Sequence, residues 1–80
     1  MKIEKNVRLN ALFDAYGPLL SDSQQEMLGQ MLEYDLTVSE IAENRGVSRQ
    51  AVMDAVRKAE NKLEEYESKL HFLEKLARKG

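Results

Sequence analysis

The sequence predicts an all-α, helix-turn-helix fold, a bundle of about four helices with a long C-terminal helix. Only one proline and four glycines occur in 80 residues, so there is little material for turns. Apolar residues also recur at helical spacing along most of the chain. Finally, two capped helix starts flank a single glycine in mid-sequence, which is typical of a helix-turn-helix unit. Residues 1–80 are expected to form one domain.

The first helix is predicted from about Glu4 to Tyr16, and Gly17 and Pro18 end it. Its apolar residues follow the spacing of one helix face and are Ile3, Val7, Leu9, Leu12, Phe13 and Tyr16. The second helix begins at Ser21 or Ser23, because each serine is followed three residues later by Gln24 or Glu26 and the two capping boxes overlap.

The predicted helix-turn-helix unit runs from Val38 to Ala55. Thr37 and Glu40 form the capping box of its first helix. Gly46 suits the left-handed conformation of the turn, and Ser48 caps the second helix at once. One expected apolar position before the turn holds Arg45, whose aliphatic stem can cover the site while its charge reaches water.

Beyond Ser48 no glycine or proline occurs before Gly80, so one helix of roughly thirty residues is predicted to reach the end of the chain. Apolar residues alternate spacings of four and three along it, a heptad seam of the coiled-coil kind: Val52, Val56, Ala59, Leu63, Tyr66, Leu70, Leu73 and Ala77. Residues 59–79 are the C-terminal extension of this last helix and a candidate coiled-coil segment, and beyond Leu63 the first helix or a second chain would have to cover the seam. We therefore expect a homodimer with an interface of Leu63, Tyr66, Leu70 and Leu73.

Composition argues against several classes of function. The chain has no cysteine, no phosphate-binding glycine loop, no nucleophile motif and no paired histidines, so we expect no enzyme activity, metal or cofactor. His71 is the only histidine, and Glu64, Glu65 and Glu67 are expected on a solvated helix face. No apolar run is long enough to span a membrane and no signal peptide is evident, which predicts a cytoplasmic protein.

The second helix of the motif carries the candidate nucleic-acid-binding residues: Ser48, Arg49, Gln50, Met53, Arg57 and Lys58. In a docked unit of this kind the first turns enter the major groove, so Arg49 and Gln50 would read bases while Arg57 and Lys58 would meet phosphate. The net charge of −2 and the acidic residues around this helix oppose such binding. The alternative for these side chains is an ordinary solvated face.

Four segments, taken in order, resemble the YlxM family: residues 16–24, 36–43, 47–54 and 63–70. The most specific are Val-Ser-Arg-Gln-Ala-Val-x-Asp from Val47 and Leu-Glu-x-Tyr-Glu-x-Lys-Leu from Leu63. The resemblance implies a fold like region 4 of sigma factors. It also implies a small, non-enzymatic bacterial protein that acts in or regulates the signal recognition particle pathway, with the particle's protein or its RNA complex as partner.

Three functions therefore remain open from the sequence. One is a regulatory binding protein of the signal recognition particle pathway, which depends on the resemblance alone. Another is a sequence-specific regulator that binds duplex DNA as a dimer through residues 38–58. Contact with RNA polymerase, by analogy with sigma region 4, is a third and weaker reading.

Overall fold

The computed structural model describes the backbone of residues 2–79 and the side chains of residues 7–76. It contains five α-helices: α1 (Lys2–Tyr16), α2 (Asp22–Glu33), α3 (Val38–Arg45), α4 (Arg49–Leu70) and α5 (Phe72–Lys79). A short 3-10 helix, Gly17–Leu19, follows α1. No strand occurs among the described residues, and the predicted all-α, helix-turn-helix fold is confirmed.

The predicted helix starts are formed by the expected local interactions. Ser21, not Ser23, begins α2: its hydroxyl accepts the N–H of Gln24 at 3.2 Å, while the Gln24 side chain accepts the N–H of Ser21 at 3.3 Å. Thr37 and Glu40 form the same reciprocal pair at the start of α3, with distances of 3.1 and 2.8 Å. These caps satisfy backbone donors that a helix leaves unpaired at its N-terminus.

The core lies where α1, α2 and α3 pack against α4. It contains eleven buried apolar side chains: Leu12, Tyr16, Leu20, Met27, Leu28, Ile41, Ala42, Val52, Val56, Ala59 and Leu63. Four of them follow the predicted seam on α4, so the first part of that seam is covered by the chain itself. Ile3 and Ala77, which were predicted for the apolar face of α1 and for the seam, have side chains outside the described residues.

The predicted single helix from Ser48 to the end of the chain is wrong. It breaks at His71, which adopts the left-handed conformation (φ 54°, ψ 31°) and separates α4 from α5. The chain then turns so that α5 packs against α1. The physical reason is a buried polar cluster at the break, described below, which sequence spacing alone does not reveal.

Candidate nucleic-acid interface

The turn between α3 and α4 fixes the direction of the candidate recognition helix. Gly46 takes the left-handed conformation (φ 70°), as predicted, and the N–H of Val47 bonds to the carbonyl of Ala42 at 3.0 Å. Ser48 then begins α4, since its hydroxyl accepts the N–H of Ala51 at 3.0 Å. The orientation of α4 relative to α3 is thus set by bonds within ten residues of chain.

Buried side chains hold the two helices together beneath this turn. Ile41 and Val52 have no exposed surface, and the small side chain of Ala42 is also buried. Arg45, just before the turn, is partly buried. Its guanidinium donates to the carboxylate of Glu26 on α2, where the sequence predicted contact with water.

The outer face of α4 presents the predicted nucleic-acid-binding residues to solvent: Ser48, Arg49, Gln50, Met53, Arg57 and Lys58. Met53 is 50% exposed at the centre of this face. We call these six residues the reading face.

Asp54 organises part of the reading face. Its Oδ1 accepts the side-chain amide of Gln50 at 3.2 Å and the guanidinium of Arg57 at 2.8 Å. Gln50 and Arg57 are therefore held by the same carboxylate, a grouping that the sequence analysis did not predict. The i, i+4 and i, i+3 spacings on either side of Asp54 would have been the signal for it.

The charge around the reading face is uneven. Residues 38–58 hold four basic and three acidic side chains, a net charge of +1. Residues 22–44, by contrast, hold six carboxylates and no lysine or arginine. The helix-turn-helix segment is therefore only weakly basic, although the six residues of the reading face include three basic side chains and no acidic one.

Most of the predicted dimer interface lies in the chain's own interior. Leu63 has no exposed surface and belongs to the core, which corrects its assignment to a surface that a second chain could touch. Tyr66 and Leu73 are partly buried against the core, and the Tyr66 hydroxyl donates to the carbonyl of Leu19 at 3.3 Å. Leu70 alone of the four is exposed, at 52%.

Glu67, predicted on a solvated face, is only 8% exposed. One carboxylate oxygen accepts the Tyr16 hydroxyl at 2.6 Å and the N–H of Leu73 at 3.1 Å, while the other accepts the N–H of Glu74 at 3.1 Å. The Tyr16 oxygen in turn accepts the N–H of Phe72 at 3.3 Å. Glu67 and Tyr16 together thus cap the first turn of α5 from α4 and α1.

These contacts shift the pKa values of both side chains. The hydrogen bond from Tyr16 lowers the pKa of Glu67, assisted by the two backbone N–H groups and opposed by burial. Burial, followed by the bond to Glu67, raises the pKa of Tyr16. One turn earlier, the guanidinium of Arg8 donates to both oxygens of Glu64, at 2.8 and 2.6 Å, and lowers the pKa of that carboxyl.

Three further features of the described residues concern the histidine, metal binding and membrane-spanning helices. The Nδ1 atom of His71 lies 3.0 Å from a carboxylate oxygen of Glu74. Residues 2–79 contain no group of three or more side chains that could hold a metal ion. None of the described helices is long and apolar enough to cross a membrane.

Comparison with known proteins gives a consistent family. Residues 3–80 match the UPF0122 family, described as "Putative helix-turn-helix protein, YlxM / p13 like". UPF0122 proteins of Lacticaseibacillus casei (strain BL23), Limosilactobacillus reuteri (strain DSM 20016) and Streptococcus gordonii (strain Challis) are 54%, 51% and 49% identical to the chain over 72 residues.

Each of these alignments covers 90% of this chain, but only 64% of the first two relatives and 66% of the third. The chain thus spans just under two thirds of the length of the curated relatives it matches. The resemblance predicted from residues 16–24, 36–43, 47–54 and 63–70 is confirmed. The chain belongs to the UPF0122 family of YlxM / p13-like helix-turn-helix proteins.

Proposed function

We propose that this chain is a non-enzymatic regulatory protein that inserts the first turns of α4 into the major groove of B-form DNA. The observation that carries the proposal is the exposure of the reading face on a helix whose start is fixed by Ser48 and Gly46. An α-helix fits the major groove, where each base pair presents a distinct pattern of donors and acceptors.

The residues of the reading face differ in what they can contribute. Arg49, in the first turn, can bond the two acceptors of a guanine. Gln50 and Arg57 both bond to Asp54 on the same face, so one carboxylate orients the two side chains toward solvent where DNA would lie. Lys58 lies further along α4 and is suited to phosphate, which positions a protein without specifying sequence.

The acidic surroundings set the strength of binding. With about two or three phosphate contacts, log K should fall with log salt at a slope of roughly −2 to −3. Carboxylates on α2 and α3 would repel the rest of the duplex. We therefore expect weak binding to random DNA, with the useful affinity coming from a preferred sequence.

The test measures DNA binding of the wild type and three alanine variants by fluorescence anisotropy, after selection of preferred sites from a random pool. Arg49→Ala should cost about 1–3 kcal/mol on selected DNA and relax preference at one position. Lys58→Ala should weaken all sequences alike and reduce the salt slope by about one. Lys75→Ala is the control, because it removes the same charge from an exposed residue of α5 that lies far from the reading face.

If the Arg49→Ala and Lys58→Ala variants bind DNA as well as the Lys75→Ala variant does, the reading face does not bind DNA. Selection that returns no enriched sequence, combined with a salt slope near zero, would also remove the proposal.

A second function is a role in the signal recognition particle pathway through contact with the particle's protein or its RNA complex. The pathway is what the resemblance of the sequence to the YlxM family implies, and the acidic surface of α2 and α3 favours a basic protein partner. RNA alone is a poorer ligand for the reading face, because the major groove of A-form RNA is too narrow for side chains to read. Either function would place the chain in the bacterial cytoplasm.

A pull-down from bacterial lysate separates the two functions. Glu43→Lys, which reverses an exposed charge on α3, is compared with Arg49→Ala, with and without nuclease. Recovery of the particle's protein that survives nuclease and is lost with Glu43→Lys would support the second function. Specific DNA fragments that are lost with Arg49→Ala would support the first.

A further inference from the structure

The joint between α4 and α5 combines a strained residue with replaceable hydrogen bonds. His71 has a left-handed backbone (φ 54°), a conformation that costs a residue with a Cβ more than it costs glycine. The N–H groups of Phe72, Leu73 and Glu74 are satisfied by Tyr16 and Glu67. If α4 and α5 formed one straight helix, those three N–H groups would bond to carbonyls four residues earlier instead. Straightening the joint therefore keeps these three N–H groups bonded, while the Glu67 carboxylate gives up two of its three donors and keeps the Tyr16 hydroxyl.

The seam continues through the joint although the helix does not. Tyr66, Leu70 and Leu73 keep the alternating spacing of four and three that pairs two straight helices. In the bent form Tyr66 and Leu73 pack partly against the core, whereas Leu70 is about half exposed, and so are Phe72 and Leu76 close by. The last part of the chain therefore carries an apolar stripe that a single bent chain leaves partly uncovered.

The charges beside the seam specify a direction for pairing. In the heptad register set by Leu63, Tyr66, Leu70 and Leu73, Lys62 and Lys69 flank the seam on one side and Glu67 and Glu74 on the other. In a parallel pair of helices these two sides face each other, so that Lys69 of one chain lies opposite Glu74 of the second. In an antiparallel pair lysines would face lysines and glutamates would face glutamates, which is unfavourable.

We infer that the joint at His71 is a hinge, and that the straight form of α4 and α5 pairs in parallel with a second copy of this chain. The seam beyond Leu63 is the contact, with Leu70 at its centre and Lys69 paired with Glu74 across it. The bent form is the alternative, in which α5 packs on α1 of the same chain. This inference does not depend on DNA binding, and its readouts contain no DNA.

The hinge is tested by two substitutions at one exposed residue. His71→Gly should favour the bent monomer, because glycine adopts the left-handed conformation readily. His71→Ala should favour the straight helix and the dimer, because alanine is the best helix former. Sedimentation equilibrium should give a dimer dissociation constant roughly tenfold or more tighter for His71→Ala than for His71→Gly.

The direction of pairing is tested with a single thiol, since the chain has no cysteine. Leu70→Cys places two thiols opposite each other when the helices run parallel in register. An antiparallel pair centred on Leu70 would also bring the thiols close, and the charge exchange below distinguishes it, because single exchanges weaken only a parallel pair. Mild oxidation should therefore give a disulfide-linked dimer, faster in the His71→Ala background. Tyr34→Cys, at an exposed aromatic position outside the seam, is the control and should not cross-link at a comparable rate.

The charge pair is tested by exchange. Lys69→Glu and Glu74→Lys should each weaken the dimer, because like charges then face each other, and the double variant should restore it. Both positions are exposed, so loss of the fold is not expected, and circular dichroism verifies this.

Three outcomes would each overturn the inference. They are a wild type and a His71→Ala variant that both stay monomeric at every concentration, a dimer with the same stability in the alanine and glycine variants, and a dimer that Leu70→Cys cannot cross-link.

Discussion

The two ends of α4 are held by different kinds of interaction. At its N-terminus, Ser48 caps the helix by bonding to Ala51, and Gly46 makes the turn just before it. At its C-terminus, the next helix is capped by Glu67 together with Tyr16, which lies 51 residues away in the chain. The first end depends on neighbours in sequence, whereas the second depends on the packing of α1 against α4.

This difference separates the part of the molecule proposed to bind from the part proposed to move. The reading face lies at the N-terminal end of α4, which is fixed by local hydrogen bonds and by the buried side chains of α3 and α4. The α4–α5 joint lies where hydrogen bonds can be exchanged for others and where apolar side chains are half exposed. A rigid reading face and an adjustable C-terminal helix can therefore coexist in one small domain.

The largest expected effect is on the seam itself, where two leucines have opposite surroundings. Leu63→Ala should lower the free energy of unfolding by about 2–5 kcal/mol, because Leu63 is fully buried and its removal leaves a cavity. Leu70→Ala, at a concentration where the chain is monomeric, should change it by no more than about 0.5 kcal/mol. Urea unfolding followed by circular dichroism measures both. Equal losses would mean that Leu70 is buried in the single chain and that the two parts of the seam do not differ.

The elements that sequence could predict are those encoded by adjacent residues. The capping boxes at Ser21 and Thr37 and the left-handed turn at Gly46 each need only three or four residues of chain, and the structure contains all three. The reading face could be predicted from sequence in the same way, because helical spacing places its residues on the outer side of α4.

The break at His71 could not be predicted from sequence in this way. Its sequence has no glycine or proline, and the heptad spacing continues through it. The deciding interactions join Glu67 to Tyr16 and to the backbone of α5, and no spacing rule connects residues so far apart. For the same reason Glu67 was assigned to a solvated face and Leu63 to a surface between chains.

The next largest effect should come from removing the charge of Glu67. The pKa of this carboxyl is lowered in the folded chain from its ordinary value of 4.5, so the unfolded chain binds the proton more readily. The stability that this shift contributes is therefore fully present above about pH 4.5 and is lost as the pH falls through the folded value. Glu67→Gln should lower the melting temperature at pH 7. The difference in melting temperature between variant and wild type should become smaller in acid.

Thermal unfolding of both proteins across acidic and neutral pH tests this expectation. Glu65→Gln is a suitable control, since Glu65 is an exposed carboxylate on the same helix whose pair with Lys69 at 3.3 Å is also exposed. If the Glu67 and Glu65 variants lose stability equally at every pH, the carboxylate of Glu67 does not hold the joint together.

The smallest effects compare two glycines, one in the turn and one within a helix. A Cβ at Gly46 would meet no atom within 4 Å, so Gly46→Ala acts only through its left-handed backbone and should cost about 1–2 kcal/mol. A Cβ at Gly29 of α2 would meet Phe13 Cζ at 3.5 Å, an ordinary contact. Gly29→Ala should therefore stabilise the chain by about 0.5–1 kcal/mol through helix propensity.

The opposite signs, measured by urea unfolding, distinguish backbone conformation from packing as the reason for each glycine. If Gly29→Ala lowers the free energy of unfolding, the contact between α1 and α2 has no room for a methyl group. If Gly46→Ala leaves the free energy of unfolding unchanged, the turn before the reading face is less constrained than its hydrogen bonds indicate.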